Sequence, residues 1–133
     1  MTRVAFAAFL VFHGLIHASY LTPRPAATGG PAWPFELGNS WLLSPIGVGQ
    51  EIVRAIGVGL TVAAVGGFVV AGLIALGAAL PASWWQPLAA IAAIASLLLL
   101  GLYFHPWLVL GIGIDLVLLV AIWQADWSPD TLT

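Results

Sequence analysis

Apolar residues run along this chain in four long blocks, parted by short stretches rich in proline, glycine, tryptophan and charge. A helix that crosses a bilayer needs about 20 mostly apolar residues, and each block approaches or exceeds that length. The first covers 4–21 and stops before Thr22-Pro23-Arg24-Pro25, because proline lacks an amide proton and constrains the residue ahead of it. The second covers 52–80, opening on Glu51 to Arg54 and ending before Pro81. Ser83-Trp84-Trp85-Gln86-Pro87 reads as an interfacial turn, since tryptophan favours the headgroup level. The third block covers 88–104, His105-Pro106-Trp107 forms a tight turn, and the fourth covers 108–124 before a polar tail with Asp126, Trp127 and Asp130. The pattern predicts an all-α fold, a polytopic transmembrane bundle of four helices in one domain over 1–133. A long Pro/Gly/Trp-rich loop over 22–50 joins helices one and two.

Composition strengthens that expectation. Of the 133 residues 62% are hydrophobic and 6% charged, against about 45–50% and about 25% in soluble domains. Between Arg54 and Asp115, sixty consecutive residues carry no Asp, Glu, Lys or Arg. The first block has a basic start at Arg3 but lacks well-placed small residues for cleavage near Ile16 and Ala18, so it is expected to be retained rather than removed as a signal peptide. Four spans put both termini on one side. Few basic residues bias the orientation, and the expected setting is a bacterial cytoplasmic membrane with both termini in the cytoplasm.

The loop over 22–50 exceeds the length of ordinary connectors. It holds Pro23, Pro25, Pro31, Pro34 and Pro45 with Gly29-Gly30. Trp33-Pro34-Phe35 and Trp41-Leu42-Leu43 make its second half apolar enough to cap the bundle or lie on the membrane surface.

Charge and cysteine content exclude several functions. Three arginines stand against five acids, with no lysine and a net charge of −2, so no basic stripe exists to neutralise phosphates and nucleic-acid binding is excluded. The absence of cysteine removes disulfides, thiolate nucleophiles and cysteine-ligated metals. Ile46-Gly47-Val48-Gly49 and Gly57-Val58-Gly59 lack the Lys-Ser or Lys-Thr of a phosphate loop. Thr61 and Ser96 read as hydroxyls bonding back to helix carbonyls. No residue cluster amounts to a strong catalytic signature.

Helices in lipid associate where small side chains let backbones approach. Ala55, Gly59, Ala63, Gly67, Ala71, Ala75 and Ala79 recur every fourth residue in the second span, and this stripe is expected to be the closest helix contact in the protein. Gly14 with Ala18, and Ala89 with Ala93, offer shorter versions.

Ionisable groups inside a bilayer cost several kcal/mol, so each needs a partner or a purpose. His13 and His17 are four residues apart and share one helix face. His13 lies nine residues after Val4 and Asp115 eight before Trp123, which brings both to a similar depth from the side of the termini. Gly111, one turn before Asp115, leaves room beside the carboxylate. Three readings compete. Asp115 accepts hydrogen bonds from His13 or His17 and pins helices one and four; or His13, His17 and Asp115 hold a metal ion, with His13, His17 or His105 ligating a haem or a chlorophyll-type pigment; or these groups pass protons.

The stretch Phe12-His13-Gly14-Leu15-Ile16-His17 resembles small bacterial four-helix membrane proteins that carry His-Gly-Leu-Ile-His in helix one and whose molecular role is unassigned. The plan is similar too: a loop after helix one, an Arg-X-X-Gly opening to helix two (Arg54 to Gly57 here), and an apolar remainder. Those proteins continue with Leu-Leu-Gly-Phe, where this chain has Ala18-Ser19-Tyr20-Leu21. The resemblance implies the architecture and marks the histidines.

Taken together, these features favour a small integral-membrane structural or accessory subunit of a larger membrane complex or a homo-oligomer. Its partners are the lipid bilayer and other membrane subunits or further copies of itself. The alternative is a metal-, haem- or pigment-binding redox protein built on the histidine and aspartate cluster. A transporter is disfavoured because no inverted repeat or broken span is visible.

Overall fold

A computed structural model describes residues 2–22, 33–78 and 80–124. Among these, the chain is all-helical, and four helices are long and apolar enough to cross a membrane. They are α1 (Thr2–His17), α2 (Gln50–Ala75), α3 (Trp85–Leu102) and α4 (Val109–Gln124), with single 3-10 turns at Ala18–Leu21, Ala82–Trp84 and Pro106–Leu108. Arg24, Ala79, Asp126, Trp127, Asp130, Pro23, Pro25, Gly29-Gly30 and Pro31 lie outside the described residues.

The helix ends have local causes. Helix α2 stops at Ala75, five residues before the expected boundary at 80, because Gly77 adopts a φ of +96° that L side chains rarely take. The Gly77 amide bonds the Ile74 carbonyl at 2.9 Å and the Ala78 amide bonds that of Leu73 at 3.0 Å, the paired closure that a glycine just past a helix end permits. Arg3 from the start of α1 donates to the Ala75 carbonyl, placing a cation at the negative end of the helix dipole. Helix α3 starts earlier than expected, at Trp85, with Pro87 inside its first turn, where a missing amide proton costs nothing. The Trp84-Trp85 pair is therefore split: Trp84 is exposed, while Trp85 is buried edge-on against Phe6 at a centroid distance of 5.6 Å.

Helix α2 lies between α1 and α3, and α4 packs mainly on α3. An apolar groove of about 440 Å³, lined by residues such as Phe6, Phe9, Leu110 and Val117, separates α1 from α4. Close approach depends on a few glycines. A Cβ on Gly72 would sit 2.9 Å from the Ala7 carbonyl oxygen, and one on Gly67 would sit 3.2 Å from that of Leu88. Both obstacles are backbone and cannot swing aside.

The stripe expected on α2 divides accordingly. Gly67, Ala71 and Ala75 face neighbouring helices, whereas Ala55, Gly59 and Ala63 are exposed, with nothing within 4 Å of a Cβ built on Gly59. A repeat of four residues rotates about 40° per step around a helix of 3.6 residues per turn, so it cannot keep one neighbour over five steps. The buried face instead mixes steps of four and three through Val53, Gly57, Thr61, Ala64, Phe68, Ala71 and Ala75.

Residues 33–49 fold over one end of the bundle. Ser40 is fully buried and donates to the Leu102 carbonyl at 2.6 Å, and Trp41 Nε1 donates to that of Gly101 at 2.7 Å. These bonds serve carbonyls that the end of α3 would leave open. Leu37 enters an apolar core with Tyr20, Val53, Leu99, Leu100, Tyr103 and Leu108. A second core gathers Leu10, Phe68, Ala71, Ile74, Trp85, Ala89, Ala92, Ala93 and Leu118. In the chain order of α1, α3 and α4, a polar layer separates the two.

Candidate functional site

That layer is His13 and His17 from α1, Ser96 from α3 and Asp115 from α4, all buried, with Ser96 and Asp115 at 0% exposure. Phe68 of α2 closes it from a fourth side, its ring centroid 4.9 Å from that of His13 and 6.2 Å from that of His17. His13 Nε2–H donates to Asp115 Oδ1 at 2.8 Å, so α1 and α4 do meet at the depth their sequence positions suggest. His17 reaches the carboxylate through Ser96, which was expected only to bond back to its own helix. His17 Nε2 lies 2.6 Å from Ser96 Oγ, and Ser96 contacts Asp115 Oδ2. Thr61 behaves as expected and donates to the Gly57 carbonyl at 2.8 Å.

Counting protons defines what this arrangement can do. His17 Nδ1–H donates to the His13 carbonyl at 2.9 Å, leaving Nε2 to face Ser96. Serine has one proton and here stands between two groups. In one distribution Ser96 donates to an Asp115 carboxylate, and a doubly protonated His17 donates to Ser96. In the other, Asp115 keeps a proton and donates to Ser96, which donates to a neutral His17. Both distributions satisfy every contact and both sum to zero charge, as burial in an apolar medium requires. They differ by the shift of two protons along Asp115, Ser96 and His17.

Donor atoms of His13, His17 and Asp115 all lie within 4.8 Å of one another, and imidazole with carboxylate is a competent set for zinc or iron. Ligand atoms around a tetrahedral ion with bonds of about 2.0–2.1 Å stand roughly 3.3 Å apart. The 2.8 Å between His13 and Asp115 is the spacing of a shared proton. A metal ion would have to displace protons and spread these groups. A cavity of about 180 Å³ adjoins the histidines, walled by Tyr20, Phe35, Trp107 and Gly111 among others.

His105 is not part of the cluster. It begins the turn before α4, where its Nδ1 accepts from the Trp107 amide at 3.3 Å. Ser96 was the residue that reasoning from sequence passed over, although a signal existed: it is the only hydroxyl between Trp84 and Leu102 and sits in mid-span. No family model, curated protein or solved structure matches the chain, so its chemistry rests on this geometry.

Proposed function

We propose that the protein is a small integral-membrane structural or accessory subunit that works assembled with other membrane helices, in a larger complex or with further copies of itself. One observation carries the reading: the exposed half of the α2 stripe, Ala55, Gly59 and Ala63, leaves a flat, open track on a 26-residue helix. Small residues at this spacing are what membrane helices use to approach one another closely. The polar layer supports it, because its hydrogen bonds are spent within the bundle and hold α1, α3 and α4 together. The setting proposed is a bacterial cytoplasmic membrane with both termini in the cytoplasm. The chain has no cysteine, so single cysteines introduced near either end would report sidedness without a background.

The test is subunit counting in native-lipid nanodiscs, together with chemical cross-linking in the source membrane. Wild-type protein is expected to be found with itself or with another subunit, and Gly59→Leu with Ala63→Leu to release it while leaving the helix content unchanged. A wild-type chain that is monomeric and partnerless in both settings defeats the proposal.

The proximity of His13, His17 and Asp115 favours a second reading, a metal-, haem- or pigment-binding redox protein. Metal analysis and optical spectra of purified protein test it. Stoichiometric metal lost in His13→Ala would support it, and a colourless, metal-free preparation would remove it.

A further inference from the structure

A cavity lies away from the polar layer, where the end of α1 meets the start of α2. It measures about 470 Å³, and its wall includes Tyr20, Trp33, Glu36, Gln50, Glu51 and Arg54. Two residues of this wall carry buried donors without a hydrogen-bond partner, the Tyr20 hydroxyl and the Trp33 indole N–H, and Tyr20 is only 4% exposed. An unmet donor in such a position is costly, and native proteins rarely leave one without an acceptor. Both donors call for an oxygen brought by something else.

Charge and depth narrow what that is. Helix α2 has 26 residues and is about 39 Å long at 1.5 Å per residue, longer than the roughly 30 Å hydrocarbon core. Its first turn, with Gln50, Glu51 and Arg54, therefore belongs in the headgroup layer. No ion pair among the described residues joins Arg54 to Glu36 or Glu51, so one cation and two carboxylates face the cavity without neutralising each other.

We propose that this cavity binds the headgroup of a zwitterionic phospholipid of phosphoethanolamine chemistry. The phosphate oxygens accept from Tyr20, Trp33 and Arg54, and the ammonium donates to Glu36 and Glu51. A phosphate without an ammonium would face the two carboxylates unscreened, and a quaternary ammonium has no proton to give them. The inference rests on the membrane placement of the helices and is independent of the subunit reading.

Native mass spectrometry of the full chain from mixed micelles holding phosphatidylethanolamine, phosphatidylglycerol and phosphatidylcholine tests this directly. Wild-type protein is expected to retain phosphatidylethanolamine over both competitors. Tyr20→Phe with Trp33→Phe keeps an aromatic ring at each position and removes two neutral hydrogen bonds, an expected loss of about 25-fold in retention. Arg54→Gln, at an exposed position, is a second variant with the same expected direction. Displacement of the lipid by soluble phosphoethanolamine, but not by inorganic phosphate, would support recognition of the whole headgroup. In lipid-free detergent Tyr20→Phe is expected to be as stable as wild type or more so, because it removes an unmet polar group, and to gain less from added phosphatidylethanolamine. Equal retention of the three lipids, undiminished retention by the double variant, or equal displacement by inorganic phosphate would each overturn the proposal. In those cases water or nothing meets the two donors.

Discussion

Ser96 and Asp115 join three helices through two side chains, and the cost of removing each differs for a physical reason. Asp115→Ala leaves the His13 N–H without an acceptor in an apolar interior and strips Ser96 of its partner as well. An unmet donor in such a place costs about 1–3 kcal/mol, and where Asp115 is ionised its deletion also strands the charge on His17. Ser96→Ala removes a neutral hydroxyl, and hydrogen bonds between membrane helices average about 0.6 kcal/mol with a maximum near 1.7. Asp115→Ala should therefore lower stability by several times more than Ser96→Ala, measured by reversible unfolding in detergent or bicelles. A double-mutant cycle of His13→Ala and Asp115→Ala should return a favourable coupling, and additive losses would contradict their pairing. At this scale the sequence was legible where depth decides: His13 and Asp115 lie equally far from the same side, and the structure brings them within 2.8 Å. Ser96 was not legible, because a mid-helix hydroxyl by default bonds its own backbone, as Thr61 does. Only the positions of neighbouring helices show the exception.

Among the helices, glycine chemistry separates positions that look alike in the chain. Gly72→Ala and Gly67→Ala place a methyl against carbonyl oxygens at 2.9 and 3.2 Å, a form of overpacking expected to cost about 1–3 kcal/mol. Gly59→Ala meets open space and should be neutral or slightly stabilising for folding, since alanine is the better helix former. Thermal unfolding of the three variants checks the order, and a costly Gly59→Ala would contradict the placement of that face. Gly77→Ala should cost about 1 kcal/mol through its positive φ alone. The number and sequence of helices were readable from apolar run length. The end of α2 was not, because Leu76 to Leu80 is as apolar as the helix before it, and the signal lay in Gly77 rather than in hydropathy. Likewise the stripe at every fourth residue looked continuous in sequence, and only the turn angle of the helix separates its buried half from its exposed half.

The whole molecule departs from a soluble fold at its surface. Around two apolar cores and a buried polar layer, Leu110, Val117, Phe12 and Ile91 stand 75%, 69%, 68% and 58% exposed on its flanks. Soluble monomers rarely show contiguous apolar surface beyond a few hundred Å², so these flanks demand lipid, a partner helix, or both. A side chain that is open in the bundle yet sheltered from water distinguishes this arrangement from every soluble alternative. Single-cysteine labelling in sealed proteoliposomes with a water-soluble maleimide, at Val117 on α4 and at Trp107 in the preceding turn, measures that shelter. Val117→Cys is expected to stay unmodified until the membrane is dissolved and the protein unfolded, while Trp107→Cys reacts readily when its side faces the reagent. Rapid modification of Val117→Cys in intact vesicles would contradict it.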